Sequence, residues 1–226
     1  RQEYAASVVG QMLGMDGRRP FVDVPTTVIR GDIGWTTKWS AEGQHKDASL
    51  VSGDLLGPEW EVSVALFRKG KPNVDSDRIK TRELYNLAVF DALIDMTDRH
   101  EGNRLVDENG HVVPVDHGYA FSGLGGNNEP AWDLYGRSRW NGSTSFFEET
   151  GEMVWGGHGE PRIVNPVVKL KVLPHARKAL TRFVAQATAG PGLKALRIGL
   201  SKTQVADLIR VANEMLYDGY VPGFED

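Results

Sequence analysis

The chain has 226 residues, 40% hydrophobic and 25% charged, which is the composition of an ordinary globular protein rather than a disordered one. A net charge of −4 at pH 7 gives no reason to expect nucleic acid or an anionic membrane surface as a partner. With no cysteine present, disulfides, thiolate metal sites and a cysteine nucleophile are excluded.

The sequence opens on Arg1 without an initiator Met, which reads as a fragment, a processed form or a trimmed version. No signal peptide is visible, and no apolar run approaches the roughly 18 residues needed to span a bilayer. A cytoplasmic location is the expectation. In chain order, "RQEYAASVVGQMLG" predicts a helix, with Tyr4, Val8, Val9, Met12 and Leu13 at helical spacing and Gly14 as the stop. The next stretch, "FVDVPTTVIRGDIGWTTKWSAEGQ", predicts two short strands around the "RGDIG" turn, with Pro25 confining the first to an edge or interrupting it. Residues 44–58 read as a polar linker.

"SDRIKTRELYNLAVFDALIDMTD" is the clearest helix of the first half. Ile79, Leu84, Leu87, Ala88, Phe90, Leu93 and Ile94 form its apolar face, and Ser76 or Asp77 is the expected cap. "NRLVDENGHVVPVDHG" predicts a hairpin turning at "DENG". Residues 123–160 read as long loops. "LPHARKALTRFVAQA" and "SKTQVADLIRVANEMLYDG" predict two further helices, the second with a Ser201/Gln204 capping box and Gly219 at its end.

The polar cluster Asp98, Arg99, His100 and Asn103 falls between the long helix and the hairpin, and Asp116 follows the hairpin's apolar run. Asp98 and Asn103 are five apart, and Asp116 is thirteen beyond Asn103. Phosphoryl transfer needs an acid near the attacking hydroxyl and hard oxygen ligands for Mg2+, and an Asn and a second Asp supply the latter. Other motifs carry less. The histidines show no H-E-x-x-H pair or tight spacing for zinc, and "GLGGNNEP" lacks the Gly-Lys-Ser/Thr ending of a nucleotide loop. Trp132, Trp140 and Trp155 read more simply as loop residues packing on a core than as a substrate groove.

"DRHEGN" followed by "VDHG" resembles the catalytic loop and metal-binding motif of the phosphatidylinositol 3- and 4-kinase-like superfamily, bacterial members included. That family carries Asp-Arg-His-x-x-Asn and then Asp-Phe-Gly or Asp-His-Gly. More weakly, "RQEYAASVVGQMLG" and "VPTTVIR" resemble the Glu-bearing helix and following strand of its small lobe. The resemblance implies an α+β, two-lobed protein-kinase-like fold. Residues 1–43 would be the remnant of a truncated nucleotide-binding lobe and residues 44–226 a mainly helical catalytic lobe.

It also implies ATP and Mg2+ as cofactors. Asp98 would accept or orient the proton of the attacking hydroxyl, His100 would share that task or stabilise the transferring phosphoryl group, and Arg99 would brace the loop. Asn103 and Asp116 would ligate Mg2+. Glu3 would correspond to the acid that pairs with a phosphate-holding Lys. A hinge around Trp35 to Glu42, with Thr37, Lys38, Trp39 and Ser40 at its centre, would receive adenine. No Lys precedes Glu3, so the small-lobe strands are expected from a removed upstream segment or a separate chain, unless this copy is inactive. The implied function is transfer of the γ-phosphate to a hydroxyl acceptor. A protein or small molecule is expected ahead of a lipid, because the acidic balance offers little to anionic headgroups. A kinase-fold binding or scaffold module without catalysis is the alternative, and an enzyme of another fold whose loop mimics the pattern is a third.

Overall fold

The structure is a computed structural model and describes residues 1–30, 62–65, 71, 78–96, 99, 101–121, 124 and 170–221. The described residues mix helices with three two-stranded antiparallel sheets.

Helix α1 (Gln2–Leu13) buries Ala5, Ala6, Val8, Val9, Met12 and Leu13. It stops at Gly14, whose φ of 72° suits a residue without a Cβ. The guanidinium of Arg182 donates to the Leu13 carbonyl at 2.7 Å, so one of the helix's terminal acceptors is satisfied. A minimal hairpin follows, β1 (Met15–Asp16) against β2 (Arg19–Pro20).

The first predicted strand is interrupted at Pro25 and forms only beyond it. Phe21 and Val22 instead plug into the core as irregular chain, and Phe21 is fixed through its backbone: its N–H donates to the Gly14 carbonyl and its carbonyl accepts from Asn86. Pro25 has no N–H to offer a ladder, and pairing starts only beyond it, at β3 (Thr27–Arg30). Strand β3 runs antiparallel to β4 (Val62–Ala65), with Thr27 opposite Ala65. The "RGDIG" turn and the expected linker lie outside the described residues, as do Ser76, Asp77, the three loop tryptophans and all of residues 125–160.

Helix α2 (Thr81–Leu93) begins later than its pattern predicts, with Lys80 rather than Ser76 or Asp77 at the N-cap. The reason lies in the neighbouring hairpin. Lys80 N–H donates to the carbonyl of Gly110, which halts the helix against the hairpin turn. Gly110 has φ of 74°, and a Cβ there would stand 2.5 Å from the Arg78 carbonyl, so only glycine fits. Burial on α2 is not confined to the predicted face: every residue from Leu84 to Leu93 is buried, including Asn86 and Asp91.

A 3-10 turn (Glu101–Asn103) leads into β5 (Arg104–Val106), which pairs with β6 (Val112–Pro114) in the predicted hairpin. Lys71 adds a bridge to the outer edge of β5 at Val106. His111 is part-buried and sits between Glu83 and Lys80 of the α2 entry.

Three helices close the described chain: α3 (Pro174–Ala187), α4 (Gly190–Gly199) and α5 (Lys202–Asp218). Helix α4 has no counterpart in the sequence expectations. Its glycines hide it, although Pro191 near its start is a helix-opening signal, and Leu196 buries completely. Helix α5 has the expected capping box and the left-handed Gly219 cap. Gln204 serves twice, since its Nε2 also donates to the Phe121 carbonyl at 3.2 Å. Ser201→Ala is expected to cost about 1 kcal/mol, measured as a lowered urea midpoint.

One apolar cluster contains residues of α1, α2, α3, α4 and α5, with Phe21, Phe90, Phe121 and Phe183 among them. Helix α1 packs on α3 and α4, so the N-terminal helix and the C-terminal helices share a core. The position proposed for a lobe boundary, residue 43, lies outside the described residues. Among the described residues no helix is long and apolar enough to cross a membrane.

Candidate active site

Of the residues the sequence singles out, Glu3, Arg99, Asn103 and Asp116 are described. Asp98 and His100, and the hinge residues Thr37, Lys38, Trp39 and Ser40, lie outside the described residues.

The hairpin brings Asn103 and Asp116 to the same end. Arg104 pairs with Pro114, and one step further the Val115 N–H donates to the Asn103 carbonyl at 3.0 Å. Asp116 therefore leaves the sheet immediately beside Asn103. Behind them stands Arg99, whose Nη1 donates to the carbonyls of both Asn103 (2.6 Å) and Val115 (2.7 Å). Its Nε and Nη2 grip the carboxylate of Asp91 on α2 at 3.1–3.2 Å. Arg99 and Asp91 are each only 1% exposed, so a charged pair holds the backbone at both candidate ligand positions from inside the core. Burial pushes the Asp91 carboxyl above its ordinary value, and the guanidinium of Arg99 opposes that shift.

Asp116 has φ of 53°, the left-handed region that Asp and Asn tolerate best among residues with a side chain. Its carboxylate is exposed, with one long contact, from the Gly118 N–H at 3.4 Å. On its far side His117 turns inward and is fully buried. The His117 N–H donates to Glu3 Oε1, and its ring Nδ1 lies 2.9 Å from Glu3 Oε2. Each oxygen of Glu3 thus meets His117. Next to Glu3, Gln2 donates to the Ala120 carbonyl at 2.9 Å. Phe121 N–H donates to the carbonyl of Ile94 at the end of α2. Residues 116–121 are consequently held from α1, α2 and α5 together.

The electrostatics fit a neutral His117 donating to an ionised Glu3. Burial lowers the imidazole from its ordinary 6.5, the Glu3 hydrogen bond opposes that, and the charge of Arg99 adds to the lowering. Partial burial raises Glu3, but the hydrogen bonds from His117 outweigh it and hold the carboxyl below its ordinary 4.5. Both folded-state values are depressed, so both groups contribute stability that is complete above their ordinary values. That stability is lost as pH falls through the folded values. The urea midpoint should therefore decline on acidification below about 6.5 for His117 and further below about 4.5 for Glu3. His117→Phe should flatten the upper part of that decline; an unchanged pH profile would contradict it.

The donor set suits Mg2+. A carboxamide and an exposed carboxylate are hard oxygen ligands, and Mg2+ is ordinarily held by one or two carboxylates, with substrate phosphates and water completing its shell. Among the described residues, no group of three or more His, Asp or Glu side chains could hold a metal.

Residues 67–154 match the phosphatidylinositol 3- and 4-kinase family. The matched segment spans under half of the chain and contains Asp98, Arg99, His100, Asn103 and Asp116; Glu3 and the hinge residues fall outside it. Over 90 residues the chain is 31% identical to phosphatidylinositol 4-kinase pik1 of Schizosaccharomyces pombe. That alignment covers 37% of this chain and 11% of the yeast protein, so the chain spans about a tenth of the relative it matches. The segment carrying the Asp116 hairpin is therefore similar to part of a kinase family.

Asp91, Gln2 and the ring of His117 were not singled out by sequence reasoning. Asp91 had a readable signal: a lone acid inside "NLAVFDALI", on a helix with an Arg eight residues on. Gln2 had none, because its partner is a backbone carbonyl.

Proposed function

We propose that this chain is an ATP- and Mg2+-dependent phosphotransferase that passes the γ-phosphate to a hydroxyl acceptor. The observation that carries this reading is the adjacency of Asn103 and Asp116 at one end of the hairpin, backed by the buried Asp91–Arg99 pair, within the kinase-matching segment. In this reading Asn103 and Asp116 hold Mg2+, which when bound neutralises charge on the nucleotide phosphates. Asp98 orients the acceptor hydroxyl and takes its proton, and His100 shares that task or stabilises the transferring phosphoryl group. Thr37, Lys38, Trp39 and Ser40 receive adenine through backbone groups at the hinge of a two-lobed fold.

Two classes of acceptor are consistent with this chemistry. The matched yeast relative is by name a phosphatidylinositol 4-kinase, which makes an inositol hydroxyl one candidate. The net charge of −4 favours a protein or small-molecule hydroxyl instead. The test is calorimetric titration of ATP with and without Mg2+, followed by transfer assays with γ-labelled ATP. Phosphatidylinositol vesicles and a soluble protein mixture serve as separate acceptors. Mg2+-dependent binding with transfer to either supports the reading and identifies the class. Binding without transfer favours a kinase-fold scaffold module. No Mg2+-dependent nucleotide binding sinks the proposal.

A further inference from the structure

The first turn of α1 touches the segment after Asp116 at two places. Glu3 spends both carboxylate oxygens on His117, and Gln2 reaches the Ala120 carbonyl. Asp116 sits between two anchored neighbours: Val115 is tied to Asn103 and Arg99, and His117 to Glu3. A left-handed backbone costs free energy and persists only where its surroundings hold it. The Glu3 tether supplies the hold on the C-terminal side.

We infer that Glu3 is a positioning residue: acting through His117, it fixes the backbone at Asp116 and so aims that carboxylate at the metal. The inference rests on the kinase reading above and gives Glu3 a role at the metal motif within this chain. The imidazole shows why a carboxylate is required. With Nδ1 facing Glu3, the ring donates there, and Nε2 is buried with no partner among the described residues. A neutral ring protonated at Nδ1 tolerates this better than the alternative, because Nε2 then carries a lone pair rather than an unsatisfied N–H. Phe90 packs edge-on against the ring, with centroids 5.8 Å apart. Glu3→Gln can still accept from the His117 N–H, but its amide now competes to donate to Nδ1. That drives the ring proton to Nε2, where it is buried with no acceptor among the described residues.

The experiment compares the full chain with Glu3→Gln, His117→Phe and the double variant. The readout is the Mg2+ concentration that half-saturates ATP binding in calorimetry, alongside metal-free ATP binding. Glu3→Gln should raise the Mg2+ requirement about 10-fold, the scale on which partners behind a metal ligand act, with metal-free binding unchanged. In the His117→Phe background, where no ring proton is at stake, the same substitution should change it less than about threefold. Loss of metal-free binding in parallel, or equal effects in both backgrounds, would mean a general structural role and overturn the inference. So would an unchanged Mg2+ requirement in Glu3→Gln while the wild type binds Mg2+–ATP. A wild type that shows no Mg2+-dependent binding overturns the kinase reading instead. The tether is then decided without ligand, by hydrogen exchange at the His117 amide and nitrogen NMR of its ring. Proton transfer to Nε2 in Glu3→Gln upholds it, whether or not the amide exchanges faster; an unchanged ring spectrum overturns it.

Discussion

Asp91→Ala is expected to cost about 3–5 kcal/mol of stability, because it leaves the Arg99 guanidinium buried and unpaired. The magnitude follows from where the pair sits. Both side chains are 1% exposed, so water cannot take over from the lost carboxylate. Arg99 still has two carbonyl acceptors, Asn103 and Val115, but these offer dipoles and no counter-charge. Replacing both partners, Asp91→Leu with Arg99→Met, removes the stranded charge and should recover much of the loss. A buried ion pair is often no more stabilising than an apolar pair of similar volume. The double variant nonetheless strips the donor from the Asn103 and Val115 carbonyls, so Mg2+-dependent nucleotide binding should stay impaired after stability returns. Urea titration and calorimetry on the same samples separate the two effects. A single-variant loss below about 1 kcal/mol would show that the pair is not sealed from water. Full Mg2+ binding in the double variant would show that Arg99 does not set the hairpin end.

Much of this arrangement was legible because its signals are local. The 3.6-residue spacing in α2 and α5, the Ser201/Gln204 box and the Asp107–Gly110 turn each arise from a few neighbouring residues. The corrections arise where distant contacts override such signals. The start of α2 is displaced to Lys80 by a hydrogen bond to Gly110, thirty residues along the chain. Phe21 abandons strand geometry for a core position held by Gly14 and Asn86. The site divides in the same way. Asn103 and Asp116 stand out because they fall in a short motif that resembles one of a known family. Asp91 looked like one polar interruption in an apolar helix, and its meaning appears only once Arg99 is packed against it. The contact of Glu3 with His117, 114 residues away, has no local signal at all.

Asp98→Asn and Asp116→Ala should fail in different ways, and the difference tests the assignment of roles. If Asp98 takes the acceptor's proton, the amide cannot, and turnover should fall by about 10²- to 10⁴-fold, the range for losing a positioned acid–base group. The affinity for Mg2+–ATP should barely move, since this carboxylate acts on the acceptor and not on the nucleotide. Asp116→Ala removes an exposed carboxylate from the end of the hairpin, so Mg2+-dependent nucleotide binding and turnover should fall together, with metal-free binding intact. Its effect on stability should be small, limited to the difference between Ala and the better-tolerated Asp at a left-handed position. Single-turnover transfer rates with saturating Mg2+–ATP isolate the chemical step from binding. Loss of nucleotide affinity in Asp98→Asn equal to that in Asp116→Ala would make Asp98 a metal ligand rather than a base. Full turnover in Asp116→Ala would leave Asn103 without its partner and remove the hairpin end from the chemistry altogether.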